Sequence, residues 1–253
     1  MVRLLSALAV FSLTSAACLA ASCPGNPQAL GTERVLPLDV KSTPRIGRKQ
    51  FPTTLPLHDK ELVLTFDDGP WPGTTPKVLD ALKAECVQAT FFLLGRNVAA
   101  HLHLARRALA KGHSLGHHSY SHPLLDHLPG AKAEAEIERG IRADEVAAYG
   151  KALPEKTVRF FRFPGFAANA PLLELAYRHE LVVFGADVWA SDWLTMSPER
   201  ELRLVLSRIE RVRRGIVLFH DTKIQTARML PTLLRELKRR GYSIVHVIPA
   251  NRS

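Results

Sequence analysis

From residue 60 onward, short apolar runs alternate with segments that have a helical pattern. The apolar runs are rich in β-branched and aromatic residues and lie at Glu61–Phe66, Val87–Leu94, Val158–Phe161, Leu181–Gly185, Ile216–Phe219 and Tyr242–Val247. Helices are predicted between them, at Pro76–Ala84, Val98–Lys111, Ala131–Tyr149 and Pro171–His179, after Ser197-Pro198, and broken or begun at Pro231. This order is typical of a parallel sheet covered by helices, either open or closed into a barrel. At 253 residues, the chain has the length of one such α/β domain.

The first 22 residues have the pattern of a secretory signal peptide. Arg3 precedes an apolar run that continues to Ala20, and small residues follow up to Ser22. A membrane anchor is the alternative, but the run contains serine and threonine and is short beside the about 20 apolar residues of a spanning helix. We therefore expect a secreted or periplasmic protein with no stable membrane span after cleavage. Residues 23–59, rich in Pro, Gly and Thr, are predicted to form an extended lead-in to a domain at 60–253.

Cysteine usage is compatible with an oxidising compartment. Cys23 and Cys86 remain after cleavage and could pair, although the sequence does not give their separation in space. Lipid modification of Cys18 or Cys23 is the less favoured alternative, because neither has Leu or Val three positions before it. No Cys-x-x-Cys pair suggests a zinc ribbon.

The formal net charge of +10 favours contact with polyanions, and a protein of the cell envelope meets phosphate- and carboxylate-bearing polymers first. Many of the basic residues have helix-like spacing, which indicates the solvated faces of amphipathic helices. Nucleic acid is not an expected partner, because the chain has no recognition motif for it and the signal peptide conflicts with it.

Ionisable residues follow several of the predicted strands. Asp67, Asp68 and Gly69 come directly after the run that ends at Phe66. In parallel α/β folds the active site is built at the carboxyl ends of the strands, so this position favours function. Asp-Asp-Gly is also a common turn, and by itself the motif would be interpreted as one.

Two histidines, His118 and His122, lie four positions apart in the sequence. On one helical turn both side chains would point the same way, a spacing that suits metal binding. A pair of histidines alone is weak evidence for a metal site. With a carboxylate available at a strand end, a site made of one Asp and two His becomes reasonable. Such a set leaves coordination positions open, as a catalytic site requires.

Three more strands end in polar side chains. His220-Asp221 follows Ile216–Phe219, and a histidine there could act as a general acid. Arg162 follows the run at Val158–Phe161, and Asp187 and Asp192-Trp193 follow Leu181–Gly185. Taken singly, Arg162 could form a surface salt bridge and Trp193 could be a half-buried core aromatic. Four strand ends with such residues are hard to explain by packing.

Five segments, in this order and approximate spacing, resemble the motifs of the polysaccharide deacetylases with a NodB-homology domain, carbohydrate esterase family four. They are Thr65-Phe66-Asp67-Asp68-Gly69, His118-Ser119-Tyr120-Ser121-His122-Pro123, Arg162-Phe163-Pro164, Asp192-Trp193 and Leu218-Phe219-His220. The resemblance covers about Glu61 to Ile248. It implies a single α/β domain that forms a deformed (β/α)7-type barrel with parallel strands, and a divalent metal, usually Zn²⁺ and sometimes Co²⁺.

The resemblance also implies roles for individual residues. Three would be the metal ligands, namely Asp68, His118 and His122. Asp67 would be the general base and would be oriented by Arg162.

For the remaining positions, the resemblance makes His220 the general acid and Asp192 the residue that tunes it. Trp193 and Leu218 would line the acetyl pocket, and the backbone N–H of Gly165 would be a donor to the oxyanion. Two positions depart from the family pattern, which usually has Tyr at Gly165 and an acidic residue at Trp189. The departures change the wall of the sugar site and leave the residues assigned to the reaction in place.

The implied activity is the removal of N-acetyl groups from N-acetylglucosamine residues of a glycan, with chitooligosaccharides and peptidoglycan as the leading substrates. One alternative is a catalytically inactive carbohydrate-binding envelope protein on the same fold, which would be expected to lose Asp67 or His220. The other is a deacylase of another amide or ester. The motifs do not indicate the polymer, the sugar position, the native metal or the oligomeric state.

Overall fold

The structure, a computed structural model, describes residues 23–150 and 159–250. The predicted signal peptide and Val158 lie outside these residues. Strands are found at β1 Arg34–Leu38, β2 Arg45–Ile46, β3 Glu61–Asp67, β4 Thr90–Leu93, β5 Ser114–His117, β6 Phe160–Phe161, β7 Val182–Phe184, β8 Val188–Trp189, β9 Gly215–His220 and β10 Ser243–Pro249. Helices are found at α1 Thr75–Ala84, α2 Gly95–Ala100, α3 Leu102–Ala110, α4 Gly130–Tyr149, α5 Ala170–Arg178, α6 Pro198–Val212 and α7 Ile224–Arg239. Short 3-10 turns lie at Leu125–His127 and Pro164–Phe166.

The strands form one sheet whose pairings are parallel. β3 to β7 follow one another in order, β9 lies on the other side of β3, and β8 pairs with β9. β10 pairs with the first two residues of β3, and β1 pairs with β10. Among the described residues no pairing joins β7 to β8, so the sheet is not closed. This arrangement is compatible with the deformed barrel that the motifs implied and confirms the α/β fold class.

Alternation along the strands decides which side chains face the inside of the sheet. Leu62, Leu64 and Phe66 of β3 pack with the helices, whereas Val63 packs in the separate inner cluster. Because successive side chains of a strand point to opposite faces, Asp67 shares the inner face with Val63. By the same alternation, Ile216 of β9 is in the inner cluster and His220 shares its face. Two ionisable side chains are thereby directed to the inside at the carboxyl ends of neighbouring strands.

The lead-in, predicted as an extended segment before the domain, contributes to the sheet and to the core. β1 and β2 were not predicted, and Leu38 and Ile46 lie in the inner cluster. Cys23 and Cys86 form a disulfide, which ties the start of the lead-in to the turn after α1.

Several predicted helices differ from those observed. The predicted helix at Val98–Lys111 is two helices, because His101 leaves the helical region with φ −134° and ψ 44°. Helix α1 begins at Thr75, one residue before the predicted start, and the Thr75 hydroxyl donates to Asp221. Pro231 lies inside α7 and does not begin it, since buried leucines on both sides hold the helix against the sheet. None of the helices in the described part of the chain has the length and apolarity needed to cross a membrane.

A buried histidine pair, His113 and His246, lies at the start of β5. The Ser114 hydroxyl donates to the Val247 carbonyl at 2.7 Å and accepts from His246 Nε2 at 3.0 Å. His113 Nδ1 accepts from the Ala89 N–H at 3.2 Å. Burial lowers the pKa of His113 to about 3, helped by the charges of His246 and Lys111, and burial lowers the pKa of His246 to about 4.

His113 and His246 should each reduce the stability of the protein as the pH falls from 6.5 to 4, a range in which buried carboxyl groups with a raised pKa, such as Asp221, add to the stability. A histidine with a folded-state pKa below its ordinary 6.5 stabilises the fold above that pH, and the contribution is lost as the pH falls. At pH 5 the loss should be about 2 kcal/mol per histidine. Chemical denaturation of the wild type and of His246→Gln at pH 7.5 and pH 5 isolates this contribution. His246→Gln keeps a donor to Ser114 and does not titrate, so its change in the free energy of unfolding from pH 7.5 to pH 5 should be more favourable than that of the wild type by about 2 kcal/mol. Equal changes in the two proteins would contradict the assignment.

Candidate active site

Asp68, His118 and His122 come together at the carboxyl end of the sheet. Asp68 Oδ1 lies 3.6 Å from His118 Nε2 and 3.5 Å from His122 Nε2. The three potential ligand atoms all lie within 4.8 Å of one another. Asp68 Oδ1 is buried and has no hydrogen-bond partner in the described part of the chain. A carboxylate oxygen and two imidazole nitrogens facing one point fit a divalent cation such as zinc.

The two histidines are brought together by a loop, and the prediction of a helical turn is wrong. β5 ends at His117, and the backbone reverses through Ser119 (φ 62°) and His122 (φ 69°). The His122 N–H donates to Ser119 Oγ at 3.1 Å, which closes the loop. Helix α4 packs tightly on it, since a Cβ at Gly140 would lie 2.7 Å from the Ser119 carbonyl carbon. The loop is therefore stabilised by its own hydrogen bond and by close packing against α4.

His118 is set up as a neutral ligand. Its Nδ1 lies 2.7 Å from the Arg162 carbonyl, so Nδ1 carries the proton and the lone pair of Nε2 faces Asp68 and His122. Burial lowers the pKa of His118 to about 3, although the charge of Asp68 opposes this. The neutral imidazole is the form that binds metal.

Asp67 is paired with a buried arginine. Arg162 Nη1 donates to Asp67 Oδ1 at 2.6 Å and to Thr65 Oγ1 at 2.9 Å, and Nη2 donates to the Gly185 carbonyl at 2.8 Å. Because Arg162 is fully buried, the alternative of a surface salt bridge is wrong. Burial raises the pKa of Asp67 above its ordinary value, although the charge of Arg162 opposes this. The second oxygen, Oδ2, lies 3.9 Å from His118 Nε2.

His220 forms a second pair, with Asp192. Its Nδ1 lies 2.7 Å from Asp192 Oδ1, and its backbone N–H donates to Asp192 Oδ2 at 2.7 Å. Burial alone would lower the pKa of His220, but the hydrogen bond to Asp192 and the charges of Asp192, Asp67 and Asp68 raise it to about 9. His220 Nε2 lies 3.9 Å from Asp68 Oδ2, so the ring borders the triad.

Three other predicted site residues, Trp193, Leu218 and Gly165, differ in exposure and surroundings. Trp193 is 47% exposed, and its ring lies 6.1 Å from that of His220. Leu218 is buried in β9 on the same face as His220. Gly165 (φ 58°) lies in a 3-10 turn, where a Cβ would come within 2.8 Å of Leu124 Cδ2. Asp187 lies outside the site.

Asp187 has a structural role instead. Its carboxylate accepts from the N–H groups of Arg48 at 3.0 Å and Ile216 at 2.8 Å, and from the Thr54 hydroxyl at 2.6 Å. These bonds join the lead-in to β9.

Two groups that contact the Asp67-Asp68-Gly69 segment received no role in the sequence analysis. Asn97 Nδ2 donates to the Asp68 carbonyl at 2.7 Å. Asp221 is fully buried, accepts from the Thr75 hydroxyl at 2.5 Å, and would overlap any Cβ at Gly69. Burial raises the pKa of Asp221 to about 7. Its sequence signal was the ionisable pair at the end of β9, of which only His220 received a role.

A family model described as "Polysaccharide deacetylase" matches residues 54–184, which contain the triad, Asp67 and Arg162. The chain belongs to the polysaccharide deacetylase family.

The relatives of this deacetylase are named for two kinds of glycan. This chain is 34% identical over 205 residues to a chitooligosaccharide deacetylase of a Bradyrhizobium species, and the match covers 75% of this chain and 90% of the relative. It is 32% identical over 202 residues to a peptidoglycan-N-acetylglucosamine deacetylase of Bacillus cereus, with 76% and 89% covered. Among solved structures, a peptidoglycan deacetylase of Bdellovibrio bacteriovorus matches with a TM-score of 0.76 and 33% identity. That match covers 87% of this chain, which spans 60% of the other chain's length.

A cavity of about 600 Å³ lies beside the triad of this deacetylase. Asp68 and His122 line it, together with Trp71, Arg96 and Lys223. Trp71 is 48% exposed and is therefore available to a ligand. Among the described residues, neither Arg96 nor Lys223 forms an ion pair. The cavity thus combines an aromatic face with two cations that form no ion pair within residues 23–150 and 159–250.

Proposed function

We propose that this polysaccharide deacetylase removes acetyl groups from N-acetylglucosamine residues and that Asp68, His118 and His122 hold its divalent metal. The observation that carries the proposal is the unpartnered, buried Asp68 Oδ1 facing two imidazole nitrogens between an Asp–Arg pair and an Asp–His pair. A divalent ion there, Zn²⁺ or alternatively Co²⁺, would supply Lewis-acid activation of the acetyl carbonyl and of the attacking water.

Asp67 acts as the general base in this proposal. It takes a proton from the attacking water, and Arg162 holds the carboxylate in place through the 2.6 Å bond to Oδ1, which leaves Oδ2 toward the triad. Asp68 does a different task from its neighbour, since a carboxylate that holds a cation stays ionised.

His220 acts as the general acid. An amide nitrogen leaves poorly unless it is protonated, and a histidine with a pKa raised to about 9 carries the required proton at neutral pH. Asp192 keeps the ring oriented and charged. Trp193 and Leu218 border the acetyl group, and the backbone N–H of Gly165 donates to the oxyanion.

Acetate release tests the proposal. The purified protein is incubated with chitooligosaccharides and with peptidoglycan, before and after chelation, and again with Zn²⁺ or Co²⁺ restored. We expect release that chelation stops and metal restores. No release from either polymer by metal-loaded protein would favour a catalytically inactive glycan-binding protein or a deacylase of another amide or ester.

Of the two polymers, we infer that peptidoglycan is the better substrate. Arg96 and Lys223 place positive charge in the lining of the cavity, and peptidoglycan carries carboxylates that chitooligosaccharides lack. The Cys23–Cys86 disulfide supports a periplasmic or secreted location, where this polymer is found. Gly165 and Trp189, which depart from the family pattern, leave the wall of the sugar site different from that of most members.

The double variant Arg96→Gln, Lys223→Gln should raise KM for peptidoglycan about threefold to fivefold more than KM for chitooligosaccharides, because exposed ion pairs contribute modestly. Steady-state kinetics on both polymers measures the difference. Lys132→Gln, a lysine outside this cavity, serves as the control. Equal changes in KM for the two polymers would show that these two cations do not recognise the negative charge of peptidoglycan.

A further inference from the structure

Glu201 is a fully buried carboxyl group that the proposed mechanism does not use. It lies in the first turn of α6 and is 0% exposed. Its Oε1 lies 2.8 Å from the Thr226 hydroxyl of α7. Its Oε2 has no hydrogen-bond partner, and no ion pair in the described part of the chain involves Glu201. An ionised carboxylate without a cation is costly at such a position.

The Thr226 hydroxyl also contacts the proposed acid pair. It lies 2.9 Å from Asp192 Oδ2, so one hydroxyl bridges two buried carboxyl groups. A hydroxyl has one proton to donate, and ionised carboxylates only accept. If Asp192 and Glu201 were both ionised, the Thr226 hydroxyl could donate to only one of them. Its contact with the other would then bring a carboxylate oxygen against a lone pair of the hydroxyl oxygen, which is repulsive. Both contacts become hydrogen bonds when one carboxyl group is protonated.

Glu201 is the member of the two that carries the extra proton. Asp192 already accepts from the His220 side chain and backbone N–H at 2.7 Å each, so both of its oxygens are occupied as acceptors. Burial raises the pKa of Glu201 to about 7, and the charge of Asp192 adds to this, while the hydrogen bond of Thr226 opposes it. The proton order is then fixed: Glu201 donates to Thr226, and Thr226 donates to Asp192.

We propose that protonated Glu201 is a positioning residue, which acts through Thr226 to hold the Asp192 carboxylate against His220. The proposal rests on the role of His220 as general acid. Three donors, from Thr226 and twice from His220, fix the plane of the Asp192 carboxylate. Without the Glu201 proton, the Thr226 hydroxyl loses the donor that orients it, and the carboxylate is free to turn away from the imidazole.

Two substitutions of Glu201 separate this role from simple packing. Glu201→Gln keeps an N–H that donates to Thr226, whereas Glu201→Leu keeps the volume and removes the donor. We expect Glu201→Leu to lower kcat about tenfold with KM nearly unchanged, and Glu201→Gln to restore kcat to within about threefold of wild type. Leu206→Ala, a buried apolar position on the same helix, should lower the melting temperature and leave kcat near wild type. Equal losses of kcat in both Glu201 variants, or none in Glu201→Leu, would overturn the proposal.

An infrared measurement tests the proton itself without any turnover. At pH 6 the wild type minus Glu201→Gln difference spectrum should contain the carbonyl band of a protonated carboxylic acid. A carboxylate band in its place overturns the inference. This measurement stays decisive if no glycan is deacetylated, an outcome that would count against the proposed function alone.

Discussion

Replacing Asp67 with asparagine should lower kcat for acetate release by about a thousandfold, while the protein still binds its metal. The amide has nearly the shape of the carboxylate and can accept from Arg162 through its oxygen, so the inner face of the sheet stays packed. It cannot take a proton from water. Asp68, which we propose as the ligand, is unchanged.

Steady-state kinetics measures kcat, and metal analysis of the same preparation measures the bound metal. Asp187→Asn is the matched control, because Asp187 is also a buried aspartate with several hydrogen bonds but lies outside the site. It should reduce stability and leave kcat within about threefold of wild type. A kcat for Asp67→Asn within tenfold of wild type would remove Asp67 from the role of base.

His122→Ala should weaken metal binding by at least about a hundredfold and abolish deacetylation, because one of three ligands is lost. The side chain of His122 is 34% exposed, so its truncation should cost the fold little. His118→Ala should weaken binding similarly, but it also removes the bond to the Arg162 carbonyl and should lower the melting temperature.

Titration calorimetry of the metal-free variants with Zn²⁺ measures the loss of affinity. His127→Ala is the control, since the side chain of His127 is 73% exposed and lies outside the triad. It should bind like the wild type. Stoichiometric Zn²⁺ that is retained by His122→Ala at wild-type affinity would contradict the assigned ligand set.

The place of the site could be predicted because parallel strands all end at one edge of the sheet. Asp67 and His220 are far apart in sequence, yet both end buried strands that pair directly in the sheet. The spacing of His118 and His122 predicted that they meet, but for the wrong reason. A helix-like spacing does not distinguish a turn of helix from a loop whose shape depends on Gly140 of another element.

Other features depend on tertiary contacts that one sequence does not display. β2 is two residues long and forms only because β7 offers it a partner, so no local period indicates it. Glu201 has the appearance of an ordinary acidic residue near a helix start. Its burial depends on the packing of α6 against α7, and its meaning depends on the Thr226 hydroxyl between two carboxyl groups.

The contact between Gly69 and Asp221 couples two positions far apart in the chain. The carboxylate occupies the space where any side chain at position 69 would begin. A mutational scan that changes one residue at a time would therefore score Gly69 as intolerant and attribute this to its own backbone. Paired libraries that shorten Asp221 as they enlarge Gly69 would reveal which substitutions the turn itself accepts, and they offer a route to reshape the floor of the site without altering a proposed ligand.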